Sequence, residues 1–148
     1  MNLFAMFDVS GSALTAERER AEVVASNMAN SETTHTAKGG PYQRQEVVFG
    51  STPVGGSSFA DRLASATDTD GNVQGVQVVK VVGDPTPPIR RFDPSHPDAD
   101  AQGYVSYPSI NPVQEMVDLM GASRSYQLNV SALQSTKQMI QQSLEILT

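Results

Sequence analysis

The 148-residue chain has no cysteine and no tryptophan, and its 10 lysines and arginines face 16 aspartates and glutamates. Without cysteine there are no disulfides, no thiolate metal sites and no thiol nucleophile. The compartment stays open, because a thiol-free chain suits reducing and oxidising surroundings alike. The formal charge of -6 argues against nucleic acid as a partner, whose phosphates need clustered lysine and arginine. Arg90-Arg91 is the one adjacent basic pair and reads as a solvated strand edge. The hydrophobic share of 39% lies below the usual ~45–50%, so the core is expected to be thin and the shape elongated. No apolar run approaches the ~18–20 residues of a membrane span. Leu3-Phe4-Ala5-Met6-Phe7 stops at Asp8, lacks a basic leader and is too short for a signal-peptide core. The expectation is a soluble protein, not exported by the cleaved-signal route.

What the chain does contain is helical at both ends. Phe7, Leu14, Ala21 and Met28 recur every seven residues, with Val24 and Ala25 on the same side. This predicts a helix from about Asp8 to Met28, capped by Asp8 or Ser10 and stopped at Asn30-Ser31. Residues 1–30 form this N-terminal segment. Residues 31–60 read as an extended linker with a short strand around Val47-Val48-Phe49, closing in a turn or link over Thr52-Pro53-Val54-Gly55-Gly56. Residues 61–108 carry the β signal. Asp70-Gly71-Asn72 is turn chemistry, and Val73, Val76, Val78, Val79, Val81 and Val82 form a β-branched run ending at Gly83. Ile89 to Phe92 and Tyr104 to Tyr107 are candidate partner strands. The Pro-rich stretch between Asp84 and Pro97 cannot be helical.

Residues 109–148 predict the second helix. Pro112 suits a first helical turn, and Asn111 with Gln114 makes a capping box. From there to Leu147 the helix spans ~50 Å at ~1.5 Å per residue. It carries a heptad seam. With Met116 at position a, the d positions are Leu119, Tyr126, Leu133, Ile140 and Leu147, all apolar or aromatic. The a positions Met116, Ser123, Val130, Lys137 and Leu144 are mixed. The expected fold is mainly α with a small β insertion. The N- and C-terminal helices pair as an antiparallel coiled-coil-like hairpin, with β-hairpins in the middle of the chain. Such a stripe is ordinarily the core of a monomer, but this β region is too small to cover so long a helix. The uncovered apolar remainder points to partner chains. The residues expected to make those contacts are Leu119, Tyr126, Val130, Leu133, Ile140, Leu144 and Leu147, with Leu14, Val24 and Met28 opposite them.

Catalytic and ligand-binding patterns are poorly represented. Asp68-Thr69-Asp70-Gly71-Asn72 resembles the start of a calcium loop, yet Gly71 sits fourth instead of sixth and Val79 occupies the twelfth position, where a bidentate glutamate belongs. His96-Pro97-Asp98-Ala99-Asp100 offers one imidazole and two carboxylates, while the second histidine, His35, lies in a remote threonine-rich stretch. There is no G-x-S-x-G elbow and no glycine-rich phosphate cradle. No enzyme, metal or cofactor is expected. A metal-dependent enzyme around His96 and Asp98 and a monomeric helical-hairpin protein-binding module are the rival readings.

Four stretches resemble the flagellar basal-body rod proteins, the proximal rod component in particular. Ala25-Ser26-Asn27-Met28-Ala29-Asn30 is similar to the Asn-rich signature that closes their first helix. Gly39-Gly40-Pro41-Tyr42-Gln43-Arg44-Gln45, followed by Val47-Val48-Phe49, is similar to the segment after it. Asp93-Pro94-Ser95-His96-Pro97-Asp98 through Tyr104-Val105, and Tyr107-Pro108-Ser109-Ile110-Asn111-Pro112 through Asp118, with Ala122 to Tyr126, select the proximal rod group. The resemblance implies a structural, torque-transmitting subunit of a tubular rod spanning the periplasm, with the two terminal helices as its axial core. It adds Asn27 and Asn30 to the contact residues. It implies export by the flagellar type III apparatus without a cleaved signal. The implied partners are other rod proteins, copies of itself, and the membrane-ring protein and adaptor at the rod base. Neither nucleic acid nor direct membrane insertion is implied.

Overall fold

A computed structural model describes residues 3–37, 39–53 and 74–145. No proline or other strong breaker interrupts the first stretch, and α1 runs over Leu3–Ala29. It therefore starts earlier than the apolar period suggested. Asp8 and Ser10 lie inside it and are not its caps, because the apolar residues ahead of Asp8 continue the helix. At its end, Asn30 N–H and Asn30 Nδ2 both donate to Ser26 O, at 3.0 and 2.9 Å, and Ser31 Oγ donates to Met28 O at 2.9 Å. These groups satisfy carbonyls that a helix terminus leaves unpaired. The chain then reverses through Gly39 and Gly40, whose φ values of 86° and 74° lie where only glycine rests without strain.

Among the described residues four strands follow: β1 (Gln45–Pro53), β2 (Gln74–Gly83), β3 (Ile89–Phe92) and β4 (Tyr104–Tyr107). They make two two-stranded sheets, β1 with β2 and β3 with β4. The valine-rich β2 takes β1 as its partner, and the two short strands, whose pairing the sequence left open, pair with each other. In that second hairpin Ile89 lies opposite Tyr107 and Phe92 opposite Tyr104, antiparallel. Thr52-Pro53, expected in a turn, ends β1. Val54-Gly55-Gly56, the Asp68–Asn72 turn, Val73 and Leu147 lie outside the described residues.

The β3–β4 connection closes at Gly103, with φ of 80°. A Cβ there would come within 2.9 Å of Phe92 Cε2 and 3.3 Å of Pro94 Cβ. Gly103→Ala is expected to cost about 1–3 kcal/mol through backbone strain alone. A thermal unfolding midpoint unchanged from the parent would contradict this.

Helix α2 covers Pro112–Glu145. Asn111 caps it: its Oδ1 accepts the Val113 N–H at 3.1 Å, and its backbone carbonyl accepts the Glu115 N–H at 3.1 Å. The molecule is thus mainly helical, with a small β part. Along the heptad seam of α2, the d positions Leu119, Leu133 and Ile140 and the a position Val130 are half-buried, and Tyr126 is exposed. Met116, Ser123, Lys137 and Leu144 are exposed, whereas Glu115, Ala122 and Thr136, one residue earlier in each heptad, are buried. Thr136 is accommodated by donating its hydroxyl to Ala132 O at 3.0 Å.

The described residues divide between two compact units. One draws on 3–19, 49–53, 74–79 and 122–145, the other on 20–37, 39–48 and 80–121. In the first, Ala16 and Ala122 are the buried apolar residues, and Val76 N–H donates to Ser12 Oγ at 3.1 Å. In the second, Val24, Val105 and Ile110 are the apolar core, joined by two buried polar side chains, Asn27 and Glu115. So small an apolar core makes those two polar groups the dominant feature of the second unit.

Candidate functional site

The last full turn of α1 carries Asn27 inward, where none of its surface is exposed. Burial of a carboxamide is tolerable only when its donors and acceptors are paired. Here all of them are. Oδ1 accepts the Gln45 N–H at 2.9 Å and the Tyr42 hydroxyl at 3.2 Å. Nδ2 donates to Gln45 O at 2.8 Å and to Glu115 Oε2 at 3.1 Å. The side chain thus pairs with both backbone groups of Gln45, as a neighbouring strand would.

Glu115 sits in the first turn of α2 and is 1% exposed. Its second oxygen, Oε1, accepts from Arg44 Nε at 2.7 Å. A carboxylate serves both neighbours because it is acceptor-only and has two oxygens. Arg44 also pairs with Glu46, and lies 4.0 Å from Asp84 and 3.8 Å from Asp118. Burial disfavours its charge, but the hydrogen bond and field of Glu115, then those of Glu46, outweigh that and raise the guanidinium pKa. The cluster ties the end of α1, the start of β1 and the start of α2 into one polar knot. Its chemistry is structural: every buried group is spent on another protein group, and nothing is presented as nucleophile or base.

The loop between β3 and β4 is held by its own aspartates. The Asp93 carboxylate accepts from Ser95 Oγ at 2.6 Å and Ser95 N–H at 3.2 Å, and Asp100 Oδ1 accepts the N–H groups of Gln102 and Tyr104, both at 2.9 Å. The Ser95 hydroxyl and N–H hold the Asp93 pKa below its ordinary value, and the Tyr104 N–H does the same for Asp100. Both carboxylates therefore favour the fold above the ordinary range near ~4, and that contribution is lost as pH falls through their lowered values. His96 Nδ1 accepts the Asp98 N–H at 3.1 Å, and Thr34 Oγ1 donates to Asp98 Oδ2 at 2.7 Å. The second bond brings the threonine-rich stretch against this loop, so His35 is not remote: it lines a shallow groove with Asp98 and Asp100. Among the described residues, no three His, Asp or Glu side chains are placed to hold a metal ion.

Of the residues singled out from the sequence, Val24 and Asn27 are buried. Leu14, Met28, Asn30, Leu119, Val130, Leu133 and Ile140 are half-buried, and Tyr126 and Leu144 are exposed. Asn27 alone enters the polar knot. Tyr42, Arg44 and Glu115 were missed as members of it. No spacing rule pairs Arg44 with a glutamate 71 positions away, or Asn27 with one 88 positions away.

Two family models match. The flagella basal body rod protein model covers residues 7–35, and the flagellar basal body rod FlgEFG protein C-terminal model covers residues 101–146. Both ends of the knot, Asn27 and Glu115, fall within those spans. The chain is 42% identical to the flagellar basal-body rod protein FlgC of Bacillus subtilis and 38% identical to that of Borreliella burgdorferi, each alignment covering 99% of both chains. It is 38% identical to the FlgC protein of Escherichia coli O157:H7, over 99% of this chain and 98% of the other. With end-to-end similarity at this level, and with rod-protein models matching both helical ends, the chain belongs to the FlgC family of flagellar basal-body rod proteins.

Proposed function

We propose that this chain builds the proximal part of the basal-body rod, with its two terminal helices as the packing layer and its β region reaching neighbours. The end-to-end similarity to rod proteins carries this reading. It is a structural subunit of the basal-body rod and not an enzyme. The helices pair antiparallel in coiled-coil fashion, and Leu119, Tyr126, Val130, Leu133, Ile140, Leu144 and Leu147, with Leu14, Val24, Met28, Asn27 and Asn30, meet neighbouring subunits. Those neighbours are other rod proteins, further copies, and the membrane-ring protein and adaptor at the rod base. Export runs through the flagellar type III apparatus, and the assembled tube crosses the periplasm and carries torque. Support comes from the apolar residues that α2 leaves exposed, since a face of that kind marks an association site. Among the described residues, no helix is long and apolar enough to cross a membrane. A tube needs contacts that continue from subunit to subunit without closing.

Leu133→Glu tests the helix assignment. Placing a charge on this half-buried position is expected to abolish incorporation into basal bodies and motility while soluble expression persists. Normal swimming and a normal amount of the variant in purified basal bodies would rule out the role given to this face. They would favour a monomeric helical-hairpin module instead.

A further inference from the structure

The β3–β4 hairpin is two strands wide, so each strand has an outer edge. β4 is anchored in the core by Val105, whereas all four residues of β3 are exposed, Phe92 at 65%. The register tells which backbone groups of β3 are spent. Asp93 N–H donates to Gly103 O at 2.9 Å, which makes 93 and 103 a hydrogen-bonded pair. Such pairs recur at every second residue of an antiparallel ladder, so Ile89 and Arg91 bond inward, to Tyr107 and Val105. The N–H and C=O groups of Arg90 and Phe92 therefore point outward, and among the described residues nothing pairs with them. Tyr104 agrees with this, since its own N–H and C=O both bond to Asp100 and not to Phe92.

We propose that this edge takes a third strand: an extended segment of a different protein, antiparallel to β3, with a carboxylate opposite Arg91 and a β-branched side chain opposite Phe92. This deepens, and rests on, the reading of the β region as the part that reaches neighbours. Backbone bonds at Arg90 and Phe92, two at each, supply the affinity, and the side chains choose the strand. The charge of the partner follows from what the two arginines already do. Arg90 is paired with Asp100 and lies over the Tyr104 ring at 5.2 Å. Arg91 lies over the Tyr107 ring at 5.0 Å and meets no carboxylate among the described residues. Opposite charges directly across a strand pair are favourable, and like charges are not. The same rule excludes a second copy of β3. The antiparallel self-pair that spends all the outward groups of both strands sets Arg91 against Arg91, in chains that already carry -6 each. Opposite Phe92, an aromatic and β-branched pair is the favourable combination. Pro88 and Pro94 flank β3 and confine the pairing to its four residues.

The probe is a peptide capped at both ends, Ser-Val-Glu-Thr-Val-Ser, whose glutamate falls opposite Arg91 when its first valine faces Phe92. Added to the full-length chain at saturation, it is expected to slow amide hydrogen exchange at Arg90 and Phe92 by about tenfold. Exchange at Arg91, already bonded to β4, should not change. The same peptide methylated on the two amide nitrogens that face Arg90 and Phe92 should protect neither. Lysine in place of the peptide glutamate, or Arg91→Glu in the chain, is expected to weaken binding by about fivefold or more. Combining the two changes should restore it, and the circular dichroism of Arg91→Glu should match the parent because position 91 is exposed. Unslowed exchange at Arg90 and Phe92, equal binding of the methylated peptide, or equal binding of the lysine peptide each overturns the proposal. Protection of the same two amides by self-association, without peptide, overturns it in favour of a second copy. The Leu133→Glu chain should bind the peptide as the parent does, so failure of the rod reading and failure of this edge are separable.

Discussion

Asn27→Asp is expected to cost the folded chain at least about 3 kcal/mol at neutral pH, although it changes a single side-chain atom. The atom is Nδ2. As nitrogen it donates to Gln45 O and to Glu115 Oε2, at 2.8 and 3.1 Å. As a carboxylate oxygen it would face a carbonyl and a second carboxylate with no proton between them, in a site sealed from water. Two such carboxylates titrate as a pair, and the first proton they share is bound at a raised pKa. The sign follows from that direction. The penalty is full above the raised value and shrinks as pH falls through it toward the ordinary carboxylate range, where the unfolded chain also takes up a proton. Urea unfolding at pH 7.5 and pH 5 should therefore show the variant approaching the parent as the solution is acidified. A loss of under about 1 kcal/mol, or one indifferent to pH, would mean that the Asn27 carboxamide is not bonded as described.

The second prediction exchanges the roles of the two partners. Glu115→Gln alone leaves one acceptor oxygen where two donors converge, Arg44 Nε and Asn27 Nδ2, and is expected to cost about 2–3 kcal/mol. In the double variant Asn27→Asp/Glu115→Gln, the amide at position 115 can donate to the carboxylate at position 27 while its oxygen still accepts from Arg44. The negative charge stays within the cluster, on the other side of the bond. The double variant should thus be more stable than Asn27→Asp by about 1–2 kcal/mol, a coupling of opposite sign to the single losses. The measurement is a double-mutant cycle of unfolding free energies. Simple additivity of the two losses would show that the two side chains do not interact.

The helices were legible because their signals are local. Asn111 and Pro112 announce the start of α2, and an uninterrupted apolar period announces α1. β3 and β4 were legible in extent, through aromatic and β-branched residues between prolines and Asp-rich turns. Their pairing was not, since it depends on the Asp93–Gly103 turn folding back on itself. The buried positions of α2 were not legible from its period. A period search follows large apolar residues, whereas these positions are small or polar at Glu115, Ala122 and Thr136. The polar knot was least legible, because Asn27, Arg44 and Glu115 meet only after three separate segments have converged. Asn27 was flagged by family resemblance alone, and resemblance does not say what the residue touches.

The bond pattern of Asn27 has a consequence for how strands can be added to this molecule. Arg44 O accepts the Asp84 N–H at 2.7 Å, so residue 44 bonds toward the β2 side of the hairpin. Backbone groups alternate along a strand, and those of Gln45 point the other way, to the outer edge. An outer edge with free N–H and C=O groups is a template on which a foreign strand can grow. The carboxamide of Asn27 occupies both groups of Gln45, and so plugs that template at the first residue of β1. A helix end thereby closes the outer edge of the sheet at Gln45, where a further strand finds no free backbone group to pair with.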